Sequence, residues 1–404
     1  MRYINLKSNV KIHKLPKWIG DNDLKIIFSI FKKNNAELLI VGGAVRSILL
    51  EKEDKIKNID IDLVTNLLPE RVLIILSENN LKCLPTGIKY GTVCVILENL
   101  TVEITTLRKD LKSDGRHAEV KFLSNWEEDA KRRDFTMNAI YMDLKGNIYD
   151  PIGGYDDLKK GIVKFIGKPE SRISEDYLRM LRFIRFSSIY SNQMHDKDAI
   201  KALKLMGKKI KNLSGERILS ELVTIFSKSS RIKKDAVSLF NKTNLDLECL
   251  GVKFNENGLD TFQKITKIKN WMIALACLTY EQKDCLKNFP LSRNDRKYWE
   301  ELNRKFTKLE LTQLLSKKWK KSVFLIGGLV RERFILNSIK NDKNIIRSKE
   351  IYNFLPPDFP IKGKDLILRG FKSDKNIGES LTKLKLIWCD SEFSLRKSQL
   401  IEYL

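Results

Sequence analysis

The stretch Ile59-Asp60-Ile61-Asp62-Leu63 alternates apolar and acidic side chains. A period of two is typical of a β-strand, on which Asp60 and Asp62 point to one face and the apolar side chains to the other. Burial of the apolar face would leave two carboxylates side by side. Such a pair is repulsive, and a divalent cation such as Mg²⁺, which prefers oxygen ligands, relieves the repulsion. The alternative interpretation is a solvated strand edge with two ordinary acids.

The segments on either side of this strand favour the metal-site interpretation. Upstream, an apolar strand runs into Gly42-Gly43-Ala44-Val45-Arg46, where glycines let a phosphate approach backbone N–H groups at the start of a helix. Downstream, Thr101-Val102-Glu103-Ile104-Thr105 alternates in the same way, and Glu103 is a third acid from another strand. A phosphate cradle, a cationic side chain and an acid cluster together indicate metal-assisted nucleotidyl transfer.

These strings resemble the signature of the class II tRNA nucleotidyltransferase and bacterial poly(A) polymerase family. The match consists of Val41-Gly42-Gly43-Ala44-Val45-Arg46 followed by Asp60-Ile61-Asp62-Leu63-Val64-Thr65. Further motifs extend it over residues 36–222 and match the CCA-adding branch best. The family usually has Asp after the Arg of its Gly-Gly turn, and Ser47 stands there in this chain. That departure concerns a supporting contact of Arg46 and leaves the acid pair intact.

An arginine-rich string, Arg132-Arg133-Asp134-Phe135-Thr136-Met137-Asn138-Ala139, supplies candidate nucleotide contacts. Guanidinium groups donate hydrogen bonds in a rigid fork that suits a triphosphate, although two adjacent arginines also occur on solvated faces. The resemblance implies that Arg133 helps to hold the nucleotide, with Asp134 and Asn138 near the ribose hydroxyls. It also implies nucleotide contacts from four further residues, which are Gly42, Gly43, Arg46 and Arg182.

The string Ser174-Glu175-Asp176-Tyr177-Leu178-Arg179-Met180-Leu181-Arg182-Phe183 predicts a helix capped by Ser174. On it Asp176 and Arg179 would be neighbours on one face, and an intrahelical ion pair is the simplest interpretation. Cytosine and adenine, however, each present an amino group beside a ring-nitrogen acceptor. A carboxylate and an arginine can therefore accept both bases, whereas uracil and guanine would turn a carbonyl towards the carboxylate. The resemblance to the family's Glu-Asp-x-x-Arg motif implies this use.

Three other motifs have less specific interpretations. Ser113-Asp114-Gly115-Arg116-His117 is an ordinary surface loop by composition, and by resemblance it is similar to the flexible loop of CCA-adding enzymes, with Asp114, Gly115 and Arg116 at its centre. The string Leu213-Ser214-Gly215-Glu216-Arg217-Ile218 resembles the motif that buttresses the base-reading helix. A second Gly-Gly string at 326–331 has no Asp-x-Asp at a matching distance, so it predicts a helix junction.

Composition limits the possible partners. The net charge of +24, from 75 Lys and Arg against 51 Asp and Glu, indicates a polyanionic partner, unless the chain comes from a lysine-rich proteome. No run of 18 apolar residues occurs, so a membrane span is not expected. Six cysteines at no metal-ligand or disulfide spacing predict a cytoplasmic location.

The predicted fold is α+β: an N-terminal nucleotidyltransferase head with a small mixed sheet and flanking helices, followed by an all-helical neck, body and tail. The predicted boundaries are 1–20 for a basic N-terminal segment, 21–150 for the catalytic head, 151–235 for the neck with the base-recognition helix, 236–325 for the body and 326–404 for a tRNA-binding tail.

The resemblance implies template-independent addition of C, C and A to the 3′ end of tRNA from CTP and ATP, with release of pyrophosphate. Asp60 and Asp62 would hold Mg²⁺, with Glu103 as the third carboxylate; one ion would activate the tRNA 3′-hydroxyl and another would neutralise pyrophosphate. The basic helical part would bind the acceptor arm of tRNA, and neither a membrane nor DNA is expected as a partner. The alternatives are a poly(A) polymerase, an enzyme that adds only the final A, and a non-catalytic RNA-binding protein.

Overall fold

The computed structural model describes residues 10–51, 61–98, 100–113, 118–192, 194–228, 230–267, 269–282, 284–339, 344–371 and 375–404. Asp60 and the loop residues Asp114, Gly115 and Arg116 lie outside these ranges. The chain divides into two compact units, Met1–Glu221 with Ser238–Gly251, and Leu222–Val237 with Val252–Leu404. The five-segment division into N-terminal segment, head, neck, body and tail stays a prediction.

All the described strands belong to the first unit. They are β1 Val10–Lys11, β2 Leu38–Val41, β3 Ile61–Thr65, β4 Lys82–Gly87, β5 Thr92–Ile96, β6 Thr101–Thr106, β7 Arg108–Ser113, β8 Ala118–Phe122, β9 Tyr141–Met142 and β10 Asn147–Tyr149. Eight of them form a sheet in the order β1-β10-β9-β2-β3-β6-β5-β4, and β7 pairs with β8 in a separate hairpin. The β3–β6 pair is parallel and the other pairs are antiparallel, so the sheet is mixed as predicted.

The first unit also carries helices α1 Asn22–Lys33, α2 Gly43–Leu49, α3 Pro69–Glu78, α4 Trp126–Arg132, α5 Gly154–Lys160, α6 Pro169–Glu175, α7 Arg179–Tyr190, α8 Lys197–Met206 and α11 Leu245–Leu250. Helices α9 Gly215–Phe226 and α10 Ser230–Thr243 run from one unit into the other. The amphipathic α1 shows why such segments fold: Asp21 caps its first turn, and Leu24, Ile27 and Phe31 bury one face.

All the regular elements among the described residues of the second unit are helices, which confirms the predicted α+β class for the chain. Its remaining helices are α12 Glu256–Ile265, α13 Trp271–Leu278, α14 Arg293–Asn303, α15 Lys308–Leu315, α16 Trp319–Ile326, α17 Val330–Asn337, α18 Ile345–Asn353, α19 Gly363–Ile367, α20 Lys375–Asp390 and α21 Lys397–Ile401. The second Gly-Gly string forms the predicted helix junction: Gly327 and Gly328 have φ of 61° and 54° between α16 and α17. No helix within the described ranges is long and apolar enough to cross a membrane.

The centre of the sheet sets the position of the acidic residues. Ile61 and Leu63 are buried and Asp62 is exposed, as the alternation of β3 predicts. Val102 and Ile104 alternate with an exposed Glu103 on β6 in the same way. A core that includes Leu39, Val41, Val64, Trp126 and Tyr141 packs against β2 and β3 on the face that carries Asp62.

Candidate active site

One cavity of about 780 Å³ in the first unit brings together most of the predicted site residues. Its lining contains seven arginines but only three carboxylates, so it is strongly cationic and suits a polyanionic ligand. The lining residues are Gly42, Gly43, Arg46, Asp62, Arg108, Arg132, Arg133, Asp134, Asn138, Asp176, Arg179, Arg182, Arg185 and Phe186.

The acidic edge of the site is formed by two neighbouring strands. The parallel register of β3 and β6 sets Asp62 directly opposite Glu103, although 40 residues separate them in sequence. Gly42 lies beside Asp62 with φ 73° and ψ −128°, and a Cβ added there would be 3.2 Å from Asp62 Oδ2. A backbone with positive φ and so close an approach explains why glycine precedes α2.

The donor set at this edge fits a hard divalent cation. Asp62 and Glu103 offer carboxylate oxygens, which are the ligands that Mg²⁺ takes in nucleotidyl-transfer sites. Among the described residues no group of three or more Asp, Glu, His and Cys side chains could hold a metal ion. Asp60, the remaining acid of the predicted set, lies outside those residues. The assignment of the metal ligands therefore stays a prediction.

Arg46 is buried and belongs to a polar network around Asp134. Its guanidinium donates to Asn138 Oδ1, and Asn138 Nδ2 donates in turn to Asp134 Oδ1 at 2.6 Å. Arg182 Nε donates to the other oxygen, Asp134 Oδ2, at 2.7 Å. Burial alone would raise the pKa of Asp134, but the charge of Arg182 and the hydrogen bonds from Asn138 and Arg182 lower it to about 2. Asp134 is therefore a charged acceptor at neutral pH.

Asp129 is a site residue that sequence reasoning missed. Its carboxylate is fully buried and accepts from Arg132 Nε at 2.8 Å, Arg133 Nη2 at 3.1 Å and the Tyr141 hydroxyl at 2.8 Å. Arg133 also lies over the Tyr141 ring, 5.3 Å from its centroid. The spacing Asp129 to Arg132 and Arg133, i to i+3 and i+4, was the available signal. Arg108 and Arg185 were likewise not predicted, and Arg132 was named only as part of the arginine-rich string, although all three line the cavity.

The predicted helix through Asp176 and Arg179 is wrong. Helix α6 ends at Glu175, Asp176 has an extended backbone with φ −156° and ψ 110°, and α7 begins at Arg179. The two side chains do not form the intrahelical pair, because Asp176 Oδ2 accepts from Arg217 Nη2 at 2.8 Å and Arg179 donates to Glu175 at 2.6 Å. Both nevertheless line the cavity, so the break brings them to the site separately.

Helix α9 supports this part of the site, in agreement with its resemblance to a buttressing motif. Besides the Arg217–Asp176 pair, Glu221 Oε2 accepts from Arg185 Nε at 2.6 Å. Arg185 in turn stacks on Phe186, with 4.2 Å between guanidinium carbon and ring centroid. Arg217 and Glu221, one helical turn apart on α9, therefore hold Asp176 and Arg185 in the cavity wall.

Ten of the predicted site residues thus line one cavity, and Glu103 lies beside it on the neighbouring strand. The ten are Gly42, Gly43, Arg46, Asp62, Arg133, Asp134, Asn138, Asp176, Arg179 and Arg182. Asp60 and the predicted flexible loop lie outside the described residues. The individual roles of all these residues stay predictions.

Comparisons with known proteins agree with this architecture. The model of the Poly A polymerase head domain matches residues 38–164. The chain is 30% identical to the mitochondrial CCA tRNA nucleotidyltransferase 1 of Mus musculus over 419 residues, which covers 94% of this chain and 89% of the mouse protein. It is 28% identical to the CCA-adding enzyme of Lactobacillus helveticus, covering 98% and 99% of the two chains.

The fold is also found among solved structures. The crystal structure of the Bacillus stearothermophilus CCA-adding enzyme in complex with CTP has a TM-score of 0.72 and 24% identity, covering 96% of this chain and 98% of that one. The Thermotoga maritima CCA-adding enzyme complexed with tRNA has a TM-score of 0.70 and 20% identity. Together with 30% identity over most of both sequences, this shows that the chain is a nucleotidyltransferase belonging to the CCA tRNA nucleotidyltransferase family.

Proposed function

We propose that this protein adds C, C and A to the 3′ end of tRNA, using CTP and ATP and releasing pyrophosphate. The observation that carries the proposal is that the acid Asp62, an excess of arginines and the pair Asp176 and Arg179 line a single cavity. A triphosphate, a base and an attacking hydroxyl need these three kinds of group within reach of one another.

The arginine side of the cavity would hold the triphosphate. Arg133 is fixed by Asp129 and by its position over Tyr141, so its fork is preorganised. Arg46 is fixed by Asn138 and lies over Phe186, 5.2 Å from the ring centroid. Guanidinium groups held in this way lose little side-chain entropy when they bind phosphate oxygens. Asp134 and Asn138 would then be near the ribose hydroxyls.

Base selection would come from Asp176 and Arg179. Arg217 and the backbone N–H of Leu178 each donate to one oxygen of Asp176, at 2.8 and 3.1 Å. Each carboxylate oxygen has a second lone pair, so Asp176 can still accept from the amino group of cytosine or adenine. Arg179 would donate to the adjacent ring nitrogen. In uracil and guanine a carbonyl oxygen would face the carboxylate instead. Two hydrogen-bond acceptors would then meet without a donor between them, and this excludes those bases.

Asp62 and Glu103, with Asp60, would hold Mg²⁺, which when bound lowers the pKa of the attacking 3′-hydroxyl and neutralises charge on the leaving pyrophosphate. Gly42 keeps the backbone close to Asp62 without a side chain in between. The parallel register keeps the Asp62 and Glu103 side chains at adjacent positions on one face of the sheet.

The tRNA would be bound through its phosphates. One candidate surface is the exposed face of α8, where lysines recur at positions i, i+4 and i+7. These lysines form no ion pair with another described residue. They are Lys197, Lys201 and Lys204. Two more exposed lysines, Lys208 and Lys209, follow directly. Such a stripe of positive charge complements the negative charge of an RNA backbone and would bind it without reading the base sequence.

A cytoplasmic location is part of the proposal. All six cysteines are free thiols, and burial raises the pKa of the Cys285 thiol to about 12, which makes it unreactive. The relatives from mouse and human are named as mitochondrial proteins, whereas the bacterial relatives are named only as CCA-adding enzymes. Fractionation of cells that express the tagged protein, with immunoblotting of each fraction, distinguishes the two locations.

The activity is tested by single-nucleotide incorporation on tRNAs that end before CCA, after C and after CC. Each tRNA is incubated with Mg²⁺ and CTP, ATP, UTP or GTP separately. We expect two C and one A, loss of at least about 100-fold in rate for Asp62→Ala, and no change for the exposed-acid control Asp156→Ala. A long A tail would indicate a poly(A) polymerase, and addition of A only to the CC end would indicate an A-adding enzyme. No incorporation by the wild-type protein would refute the proposal.

A further inference from the structure

Arg172 lies outside the predicted site residues, yet it contacts both sides of the cavity. Its side chain is 11% exposed. Its Nη2 donates to the carbonyl oxygens of Arg132 and Arg133, at 2.5 Å each. Its Nη1 donates to both oxygens of Glu175, at 2.7 and 2.6 Å. One guanidinium therefore fixes the backbone just before Asp134 and, at the same time, a carboxylate at the end of α6.

Glu175 extends this contact to the base-selecting side. Arg179 Nη1 donates to Glu175 Oε2 at 2.6 Å and to the carbonyl oxygen of Arg172 at 2.9 Å. The three residues close a ring of hydrogen bonds around the break between α6 and α7. Asp176, with its extended backbone, sits inside that break. Its position therefore depends on the ring as well as on Arg217.

The ring uses the geometry of arginine and not only its charge. Burial and the nearby Arg179 lower the pKa of Arg172, whereas the charge and hydrogen bonds of Glu175 oppose that shift. A lysine ammonium is a compact group on a flexible stem and cannot bond two carbonyls and both carboxylate oxygens in one plane. The Nε of Arg172 is buried without a hydrogen-bond partner among the described residues, so two terminal nitrogens make all its contacts.

We propose that Arg172 is a positioning residue for nucleotide selection. This inference rests on the proposed function, in which the Arg133–Asp134 segment takes the triphosphate and ribose while Asp176 and Arg179 take the base. A nucleotide contacts both sides at once, and base discrimination by hydrogen bonds requires donors and acceptors to be placed within about 0.5 Å. Arg172 holds the two sides at a fixed separation. Without it the base-selecting pair can shift relative to the sugar and phosphates, and uracil is no longer excluded.

The experiment compares Arg172→Gln, Arg172→Lys and Glu175→Gln with wild type and with Arg71→Gln, in which an exposed arginine of α3 is replaced. For each protein, kcat and KM are measured for CTP and for UTP on tRNA that lacks CCA. We expect the ratio of kcat/KM for CTP to that for UTP to fall at least about tenfold in Arg172→Gln, since one misplaced hydrogen bond changes discrimination by about that factor. Arg172→Lys should lose as much selectivity, and Arg71→Gln none.

Glu175→Gln is the second variant in case Arg172→Gln does not fold. It leaves the two backbone contacts of Arg172 in place but weakens the bonds to Arg179, so selectivity should fall by a similar factor. If Arg172→Gln does fold, the double variant Arg172→Gln/Glu175→Gln should be as selective as the less selective single variant, because both substitutions cut the same link.

The outcomes separate the two proposals. If the wild-type protein adds no nucleotide, the proposed function fails and this inference with it. If the wild type adds C, C and A while the variants lose rate for CTP and UTP equally, Arg172 is a structural residue and the inference is overturned. Wild-type selectivity in Arg172→Lys would also overturn it, because charge alone would then be sufficient.

Discussion

Asp129→Asn tests whether a buried charge holds the arginine side of the cavity. The substitution keeps the shape of the side chain and one acceptor oxygen for the Tyr141 hydroxyl. It removes the negative charge and thereby leaves the guanidinium groups of Arg132 and Arg133 without their carboxylate. Breaking a buried pair by removing one partner is destabilising, since the remaining charge is desolvated and uncompensated.

The pKa of Asp129 gives the magnitude of the expected loss in the free energy of unfolding. Burial alone would raise it, but the charges of Arg133 and Arg132, with hydrogen bonds from Arg132 and Tyr141, lower it from 3.8 to about 2. Because a tenfold change in proton affinity is worth about 1.4 kcal/mol, the ionised carboxylate contributes about 2 kcal/mol to the free energy of unfolding at neutral pH. The pKa is lower in the folded state, so this contribution is present above pH 3.8 and is lost as the pH falls towards 2. About half of it remains at pH 3.

The assay is urea unfolding of wild type and Asp129→Asn at pH 7 and pH 3, with hydrogen exchange of the peptide 126–142 as a local probe. Asp156→Asn, which removes an exposed carboxylate from the same unit, is the matched control. We expect Asp129→Asn to be less stable than wild type by about 2 kcal/mol at pH 7 and by about 1 kcal/mol at pH 3. The control should stay within about 0.5 kcal/mol of wild type at both pH values. Equal stability of wild type and Asp129→Asn at pH 7, or a difference that does not shrink on acidification, would refute the charge argument.

Three further predictions concern the acidic edge, the base-selecting side and the RNA surface. Gly42→Ala should reduce activity at least about tenfold in the incorporation assay, because alanine is strained at φ 73° and its Cβ would approach Asp62; unchanged activity would contradict this account. Arg217→Met should raise UTP incorporation about tenfold, because the Asp176 carboxylate loses the group that orients it; the CTP-to-UTP ratio is the measurement, and a constant ratio would count against it. Replacing three lysines of α8 with alanine should weaken tRNA binding and reduce the slope of log Kd against log salt by about 2 to 3, with KM for CTP unchanged. The three lysines are Lys197, Lys201 and Lys204. Equal slopes for the triple variant and wild type would show that this face of α8 does not bind tRNA.

The local features of the site were predictable because they depend on neighbours in sequence. The period-two alternation around Asp62 was sufficient to place it on the exposed side of a strand, since burial of Ile61 and Leu63 leaves no other register. The glycine before α2 was predictable for the same reason: a strand that turns into a helix within one residue needs a backbone that only glycine adopts easily.

The base-selecting segment shows where local reasoning fails. Neither Pro nor Gly marks the break after Glu175, so the string was predicted to form one helix capped by Ser174. The backbone at Asp176 is extended because its carboxylate accepts from the N–H of Leu178, two residues on, and from Arg217, 41 residues on. The first contact is a common alternative of Asp to helical bonding. The second exists only after α9 has packed.

The sequence by itself determined the α+β class, the strand that carries Asp62, the glycine turn and the family, because each of these depends on short strings of neighbouring residues. Tertiary structure alone decided which charges are neighbours. It paired Asp62 with Glu103 through the register of two parallel strands, buried Asp129 beneath two arginines, and joined Arg172 to a backbone 40 residues earlier. Such contacts depend on how elements pack, and packing brings together residues whose separation along the chain carries no periodic signal.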